Sequence, residues 1–111
     1  MAQAHAASGE LVDIRPLADG LVDHVTTAIM KSDQLELVRL VLPKGKAMRE
    51  HRVSGEITVQ CVEGSIEVST PTATLRMGPG QLVHLRGGEA HSLLALADSS
   101  ALLTICLPPP A

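Results

Sequence analysis

Apolar and polar residues alternate along several short segments of the chain, and residues that favour turns separate these segments. The alternation is clear in residues 66–69 (IEVS). Residues 81–85 (QLVHL) and a stretch rich in Val, Ile and Thr that ends at Glu63 and Gly64 are also predicted to be strands. A period of two is the pattern of a half-buried β-strand. Turn signals recur about every eight to twelve residues, which predicts about eight or more short strands arranged as a sandwich or barrel.

The first third of the chain is also predicted to be extended. Residues 21–31 are rich in Val, Thr and Ile, which favour strand over helix. Residues 35–42 (LELVRLVL) would fit a helix by periodicity, but strand-like segments surround them and Pro43 ends the run, so we predict a strand. Residues 43–46 are expected to form a loop, and we place His51 on the loop that enters the next strand. The predicted fold class is all-β, with little or no helix.

The chain is long enough for one domain with its own core. With 111 residues, it should bury roughly two thirds of the surface that the unfolded chain exposes. We predict a single domain over residues 11–107. Residues 1–10 are expected to be a flexible tail, and residues 108–111 a second tail, because consecutive prolines cannot continue a sheet.

Charge and hydropathy exclude several classes of partner. The apolar fraction is 45% and the formal net charge is -3, so the chain lacks the basic surface that binds nucleic acid or an anionic membrane. No apolar run reaches the length of about 18 residues that a transmembrane helix needs. Residues 1–10 have neither a charged start nor an apolar centre, unlike a signal peptide. We therefore expect a cytoplasmic protein.

The chain contains no Phe, Tyr or Trp. This composition removes stacking platforms for nucleobases, aromatic cages for cations and any tyrosine acid or base. The two cysteines, Cys61 and Cys106, form neither a CxxC pair nor a cysteine-rich framework. We expect both to be buried thiols that pack as small apolar side chains.

Two histidines lie in segments framed by glycines. His51 lies between Gly45 and Gly64, and His91 follows Gly80 and Gly88. On these residues the chain resembles the RmlC-like jelly-roll barrels of the cupin superfamily. The first cupin motif places two histidines and a glutamate between glycines, and the second places a histidine after glycines. The resemblance covers about residues 35–107 and implies a double-stranded β-helix.

The resemblance also implies a metal site, and two of its ligands are missing here. His51 and His91 keep the positions of cupin ligands, whereas Val53 and Ile57 stand where the second histidine and the glutamate are expected. Neither valine nor isoleucine can bind a metal, and two imidazoles fall short of the three or four protein ligands of a stable site. The expected cofactor is therefore either none or a divalent transition metal, namely Fe, Mn, Ni or Zn.

Several polar residues near these positions could take the place of the missing ligands. Glu56 is one residue from the glutamate position, and a shift of one residue on a strand reverses the side-chain direction, so Glu56 should point away from the cavity. Cys61 has the parity of an inward residue and Gln60 that of an outward one. The direction of His84 is left open by a glycine turn. Arg86 replaces a turn proline beside the barrel mouth and is either solvated or an anion contact.

Two functions compete on these observations. The first is a small-molecule-binding protein that is non-catalytic or of unassigned activity, in which the two histidines hydrogen-bond to each other, to water or to the ligand. The alternative is a metal-dependent cupin enzyme of the dioxygenase, isomerase or decarboxylase type, with His51, His91 and one substitute ligand. Whether the chain is an enzyme stays open. The predicted pocket residues are His51, Val53, Ile57, Val59, Cys61 and His91.

We also expect a homodimer. The sheet edges of a small barrel invite pairing, and the apolar first half of the chain has no helix to cover it. A second copy of the chain would bury the sheet edges and the apolar first half.

Overall fold

The computed structural model describes residues 5–108 of the chain, with the side chain of His51 excepted. The predictions for residues 1–4 and 109–111 lie outside the described residues. Strands make up 48% of the described residues and helix 6%, so the all-β prediction is confirmed. The elements are a 3-10 helix (Ala18–Asp23) and the strands β1 (Thr27–Lys31), β2 (Leu35–Leu42), β3 (Ala47–His51), β4 (Ile57–Glu63), β5 (Ile66–Ser69), β6 (Thr74–Met77), β7 (Leu82–Leu85), β8 (His91–Ala95) and β9 (Ser99–Cys106).

The strands form two antiparallel sheets. The five-stranded sheet has the order β1-β2-β9-β4-β7, and the four-stranded sheet has the order β3-β8-β5-β6. Most consecutive strands lie in different sheets, so the chain crosses repeatedly from one layer to the other. This is the jelly-roll, or double-stranded β-helix, arrangement that the sequence predicts.

The core lies between the two sheets and contains aliphatic, methionine and cysteine side chains. On β4, the side chains of Ile57, Val59 and Cys61 face inward and are 3%, 0% and 0% exposed, whereas Thr58 and Gln60 face outward. Each strand of the five-stranded sheet therefore has an inner face towards the core and an outer face away from it. The buried core residues are Leu40, Leu42, Ile57, Val59, Cys61, Ile66, Val68, Met77, Leu85, Leu93, Ala95 and Ala101.

Residues 5–25, which we call the N-terminal segment, lie against the outer face of β1 and β2. The backbone N–H of Ala6 donates to the carbonyl of Ile29 at 2.9 Å. Arg39, on the outer face of β2, donates from Nη1 to the carbonyl of Arg15 at 3.1 Å and from Nη2 to the carbonyl of Asp13 at 3.0 Å. The segment thus adds a partial third layer to the sandwich.

Two segments differ from the predicted secondary structure. His51, predicted on a loop, is the last residue of β3 (Ala47–His51), which pairs with β8. The register shifts between Met48 and His51, and this irregularity hides the alternation in the sequence. Residues 21–23 belong to the 3-10 helix, at whose start Gly20 N donates to Leu17 O at 3.0 Å. The extended structure predicted for residues 21–31 therefore forms a strand only from Thr27.

Other predictions can be compared directly. The strand predicted over residues 35–42 is confirmed as β2 with the same bounds. Cys61 is buried, as predicted, but Cys106 is exposed because it is the last residue of β9, at the rim of the sandwich. Within the described residues, no helix is long or apolar enough to cross a membrane.

Candidate functional site

The two histidine positions singled out in the sequence meet at one end of the barrel. His51 ends β3 and His91 begins β8, and the register of these antiparallel strands pairs His51 directly with His91. We call this end, formed by residues 51–57 and 85–91, the barrel mouth. The backbone register therefore brings the two motif positions together. The side chain of His51 lies outside the described residues.

His91 is buried at the mouth and has a defined hydrogen bond. It is 3% exposed, and its Nδ1 lies 3.0 Å from the carbonyl oxygen of Glu89. A carbonyl only accepts, so Nδ1 carries the proton and Nε2 is the acceptor nitrogen of the neutral ring. Leu93 and Ala95 share the parity of His91 on β8 and belong to the core. The imidazole therefore faces the barrel interior.

Two loops close the mouth through backbone contacts. The N–H of Gly88 donates to the carbonyl of Val53 at 2.8 Å. A Cβ on Gly87 would collide with the carbonyl oxygen of Ser54, and a Cβ on Gly55 would collide with the backbone at the end of β9. Only glycine permits approaches this close, so the spacing of the loops is set by the main chain.

A salt bridge lies on the rim of the mouth. Arg86 Nε donates to Glu89 Oε2 at 3.0 Å, and the two side chains are 81% and 19% exposed. Because the carbonyl of Glu89 also accepts from His91, this pair restrains the loop that orients the imidazole. Arg86 is thus a solvated rim residue with a carboxylate partner.

The remaining residues predicted to line the pocket lie in the apolar core. Ile57, Val59 and Cys61 belong to the core, and the half-buried side chain of Val53 packs against it. Burial raises the pKa of the Cys61 thiol, and the thiol donates to the carbonyl of Glu63 at 3.4 Å. Cys61 is therefore a neutral core thiol rather than a thiolate ligand.

The other substitute ligands lie on the outer face of the five-stranded sheet. His84 Nε2 lies 2.8 Å from Glu56 Oε1, and these side chains are 55% and 67% exposed. Gln60 faces outward as its parity predicts. In residues 5–108, leaving aside the side chain of His51, no three His, Cys, Asp or Glu side chains lie close enough together to hold a metal ion. The described donors do not fit a cupin metal centre.

Hollows also lie away from the mouth. One, of about 310 Å³, lies between the N-terminal segment and the outer face of β1 and β2, and Arg39 lines it. An open groove of about 1160 Å³ lies between residues 31–35 and 106–108. Arg39 is not among the site residues predicted from the sequence. The available signal was a lone arginine at an outward position of the apolar run LELVRLVL.

Comparison with known proteins identifies the fold but no close relative. No protein-family model matches the sequence, and no curated protein matches it. Solved structures do match. A conserved protein of unknown function from Streptococcus pyogenes is 19% identical, with a TM-score of 0.75 over 99% of this chain and 97% of that chain. A cupin superfamily protein from Desulfitobacterium hafniense is 13% identical, with a TM-score of 0.76 over 88% of this chain and 95% of that chain.

A third similar structure is that of an enzyme. The DMSP lyase DddQ from Ruegeria pomeroyi is 22% identical, with a TM-score of 0.65 over 72% of this chain and 42% of that chain. At such identities the likeness concerns the fold alone, and a fold hosts many functions.

Proposed function

We propose that this chain, which has the cupin fold, binds a small molecule at the barrel mouth through His51 and His91. The single observation that carries the proposal is the buried imidazole of His91, which faces the barrel interior and is 3% exposed. Buried histidines with a fixed tautomer are suited to recognise one hydrogen-bonding group of a ligand.

The chemistry of the mouth supports a ligand with an apolar body and one donor group. Ile57, Val59 and Val53 supply apolar side chains. The hydrogen bond from His91 Nδ1 to the Glu89 carbonyl fixes the orientation of the imidazole, which would present a polar group to a ligand hydroxyl or N–H. His51, opposite in the register, would supply a second imidazole. A few polar groups among apolar side chains are typical of small-molecule sites.

A metal-dependent enzyme is the second candidate. The register that pairs His51 with His91 favours it, and a DMSP lyase shares the fold. Val53 and Ile57 at the other two ligand positions oppose it, and so does the lack of a three-donor cluster in the described part of the chain, His51 side chain excepted. Since the described donors do not fit the metal, we derive no reaction through one.

Fragment screening by NMR tests the binding proposal. Fragments with a hydroxyl or N–H on a small apolar body should shift the resonances of the mouth in the wild-type protein. Their affinity should fall at least about tenfold, about 1.4 kcal/mol, in His51→Ala and His91→Ala. His84→Ala is the matched control, because this imidazole is 55% exposed on the outer face. Binding that survives both mouth substitutions unchanged would place the ligand elsewhere.

Elemental analysis separates the two candidate functions. In protein purified without a metal-affinity tag, we expect less than about a tenth of an equivalent of any transition metal, because tight sites need three or four ligands. Near-stoichiometric metal that disappears in His51→Ala and His91→Ala would favour the enzyme instead.

We also propose that the protein is a homodimer. Leu75, Leu82 and Leu94 are 43%, 60% and 36% exposed, and β6 and β7 are edge strands of their sheets. Exposed edges with apolar side chains favour pairing with another copy. Sedimentation at micromolar concentration should give about twice the chain mass of 11.6 kDa; the monomer mass would refute the dimer.

A further inference from the structure

We propose a second ligand site, outside the barrel, which takes a small amphipathic anion such as a medium-chain carboxylate. The site is the cavity of about 310 Å³ between the N-terminal segment and the outer face of β1 and β2. Ligand pockets begin at about this size. This proposal does not depend on the barrel mouth.

Arg39 supplies the positive charge that recognises the anion. Its half-buried guanidinium lines the cavity and donates to the carbonyls of Asp13 and Arg15. Among the described residues, no carboxylate lies within ion-pair distance of Arg39. A guanidinium has five N–H groups, so donors remain beyond these two bonds. The charge of Arg39 also acts on the carboxylates of Asp13 and Glu63, so the remaining guanidinium N–H groups are what would donate to the head of an anionic ligand.

The other titratable groups around the cavity are largely occupied. Arg15 binds Asp13 at 2.6 Å, and its hydrogen bonds lower the pKa of Asp13 to about 2. Glu10 accepts from the N–H of Ala7 at 3.1 Å. His24 Nδ1 lies 2.7 Å from a backbone carbonyl of the 3-10 helix. Since Arg15 neutralises Asp13, the charged groups that remain in the lining are the carboxylate of Glu10 and the guanidinium of Arg39. The guanidinium is the group that donates to an anionic ligand.

Apolar side chains supply the rest of the site. Val25, Leu11 and Val12 are 76%, 98% and 38% exposed, so an uncovered apolar rim adjoins the guanidinium. A molecule with a hydrocarbon tail and an anionic head would cover both features at once. The apolar residues that line the cavity are Leu11, Val12, Leu17, Val25 and Ile29.

The N-terminal segment is anchored beside this cavity, so the site is pre-formed. Glu63 accepts from the N–H groups of Leu17 and Ala18 at 2.8 and 2.9 Å and from the hydroxyl of Ser100 at 2.5 Å. Ser100 is fully buried. A pre-formed site loses less conformational entropy when a ligand binds.

Titration calorimetry and NMR with sodium octanoate test the proposal. Octanoate should bind the wild-type protein in a one-to-one ratio and shift the amide resonances of residues 10–13 and 24–29. Val25→Asp should weaken binding at least about tenfold, because the new carboxylate competes for Arg39. Val22→Asp is the matched control: Val22 is also exposed, at 67%, but it does not line the cavity, so binding should be unchanged.

Further variants decide which group recognises the head of the ligand. Arg39→Gln should weaken octanoate binding by at least about tenfold, with the melting temperature recorded because Arg39 also holds the N-terminal segment. His91→Ala should leave octanoate binding unchanged. The proposal is overturned by an absence of saturable binding up to about 10 mM, by 1-octanol binding as tightly as octanoate, or by loss of binding in His91→Ala, which would assign octanoate to the barrel.

Discussion

The two faces of the five-stranded sheet are held by different forces. On the inner face, Val59 and Cys61 are 0% exposed and pack in a core without aromatic residues. On the outer face, the N-terminal segment is attached by the carboxylate of Glu63 and the guanidinium of Arg39, and valines such as Val25 remain exposed. One sheet therefore carries a closed apolar interface and an open polar one.

Because of this difference, the inner face determines the stability of the whole domain, whereas the outer face responds to pH and to competing ligands. Apolar burial is non-directional and roughly proportional to area, so the inner face changes only when the whole domain unfolds. The attachment of the N-terminal segment depends on a few directional bonds to charged groups, each worth about 1.5–3 kcal/mol. Such bonds depend on pH and on competing ligands, so the outer face is where local opening is expected.

The largest effect is expected from a substitution on the inner face. Leu42→Ala should reduce the free energy of unfolding by about 3 kcal/mol, because Leu42 is 1% exposed and the neighbouring core can only partly fill the cavity. Denaturant unfolding measures the change. Leu11→Ala, at a leucine that is 98% exposed, is the control and should cost less than about 0.5 kcal/mol. Equal losses in the two variants would contradict the packed core.

A smaller and local effect is expected on the outer face. Glu63→Gln should weaken the bonds to Leu17, Ala18 and Ser100 by about 1.5–3 kcal/mol in total. Hydrogen exchange should accelerate at the amides of residues 17 and 18 while the core strands stay protected. Glu67→Gln, at an outward position of β5, is the matched control and should change neither quantity. Protection retained at residues 17 and 18 would show that Glu63 does not anchor the segment.

The same attachment should depend on pH. Burial acts to raise the pKa of Glu63, but hydrogen bonds from Ser100, Leu17 and Ala18 and the charge of Arg39 lower it below its ordinary value of 4.5. Because the unfolded carboxylate takes up a proton at higher pH than the folded one, the stabilisation is complete above about pH 4.5 and is lost as the pH falls through the folded pKa. The difference between wild type and Glu63→Gln should therefore shrink between about pH 7 and about pH 3; a constant difference would contradict this.

The smallest effect is expected at the exposed pair on the outer face. Glu56→Gln should lower the free energy of unfolding by at most about 0.5 kcal/mol, because Glu56 and His84 meet at 2.8 Å in a solvated position. The effect should disappear in high salt. A loss above about 2 kcal/mol, measured by denaturant unfolding, would mean that this carboxylate has an inward role.

The sequence predicts the fold wherever alternation is regular. The strand over residues 35–42 is confirmed because its apolar run ends at Pro43, and residues 66–69 form β5 with the predicted alternation. Residues 47–51 escaped recognition because the register shift after Met48 breaks the period of two. The 3-10 helix also escaped, since its six residues are too few to show a helical period, and its Ala18 adopts a positive φ of 51° that composition does not signal.

For the candidate site, the position of a residue along its strand predicted the direction of its side chain, whereas amino-acid composition did not. A one-residue shift correctly predicts that Glu56 points outward, where it meets His84. The attachment through Glu63 and Arg39 joins residues far apart in sequence, so no local pattern could reveal it. The glycine-framed spacing predicts the pairing of positions 51 and 91, because both motif positions end at the same rim of the barrel.

The close approach of Gly55 and Gly87 to neighbouring backbone has a consequence for the shape of the mouth. Since no larger residue fits at either position without moving the main chain, the outline of the mouth is set by backbone packing at these two glycines. Side-chain exchange at Val53, Arg86 or Glu89 can change the surface of the mouth while the main chain stays in place, whereas loop insertions would separate the two histidine-bearing strands.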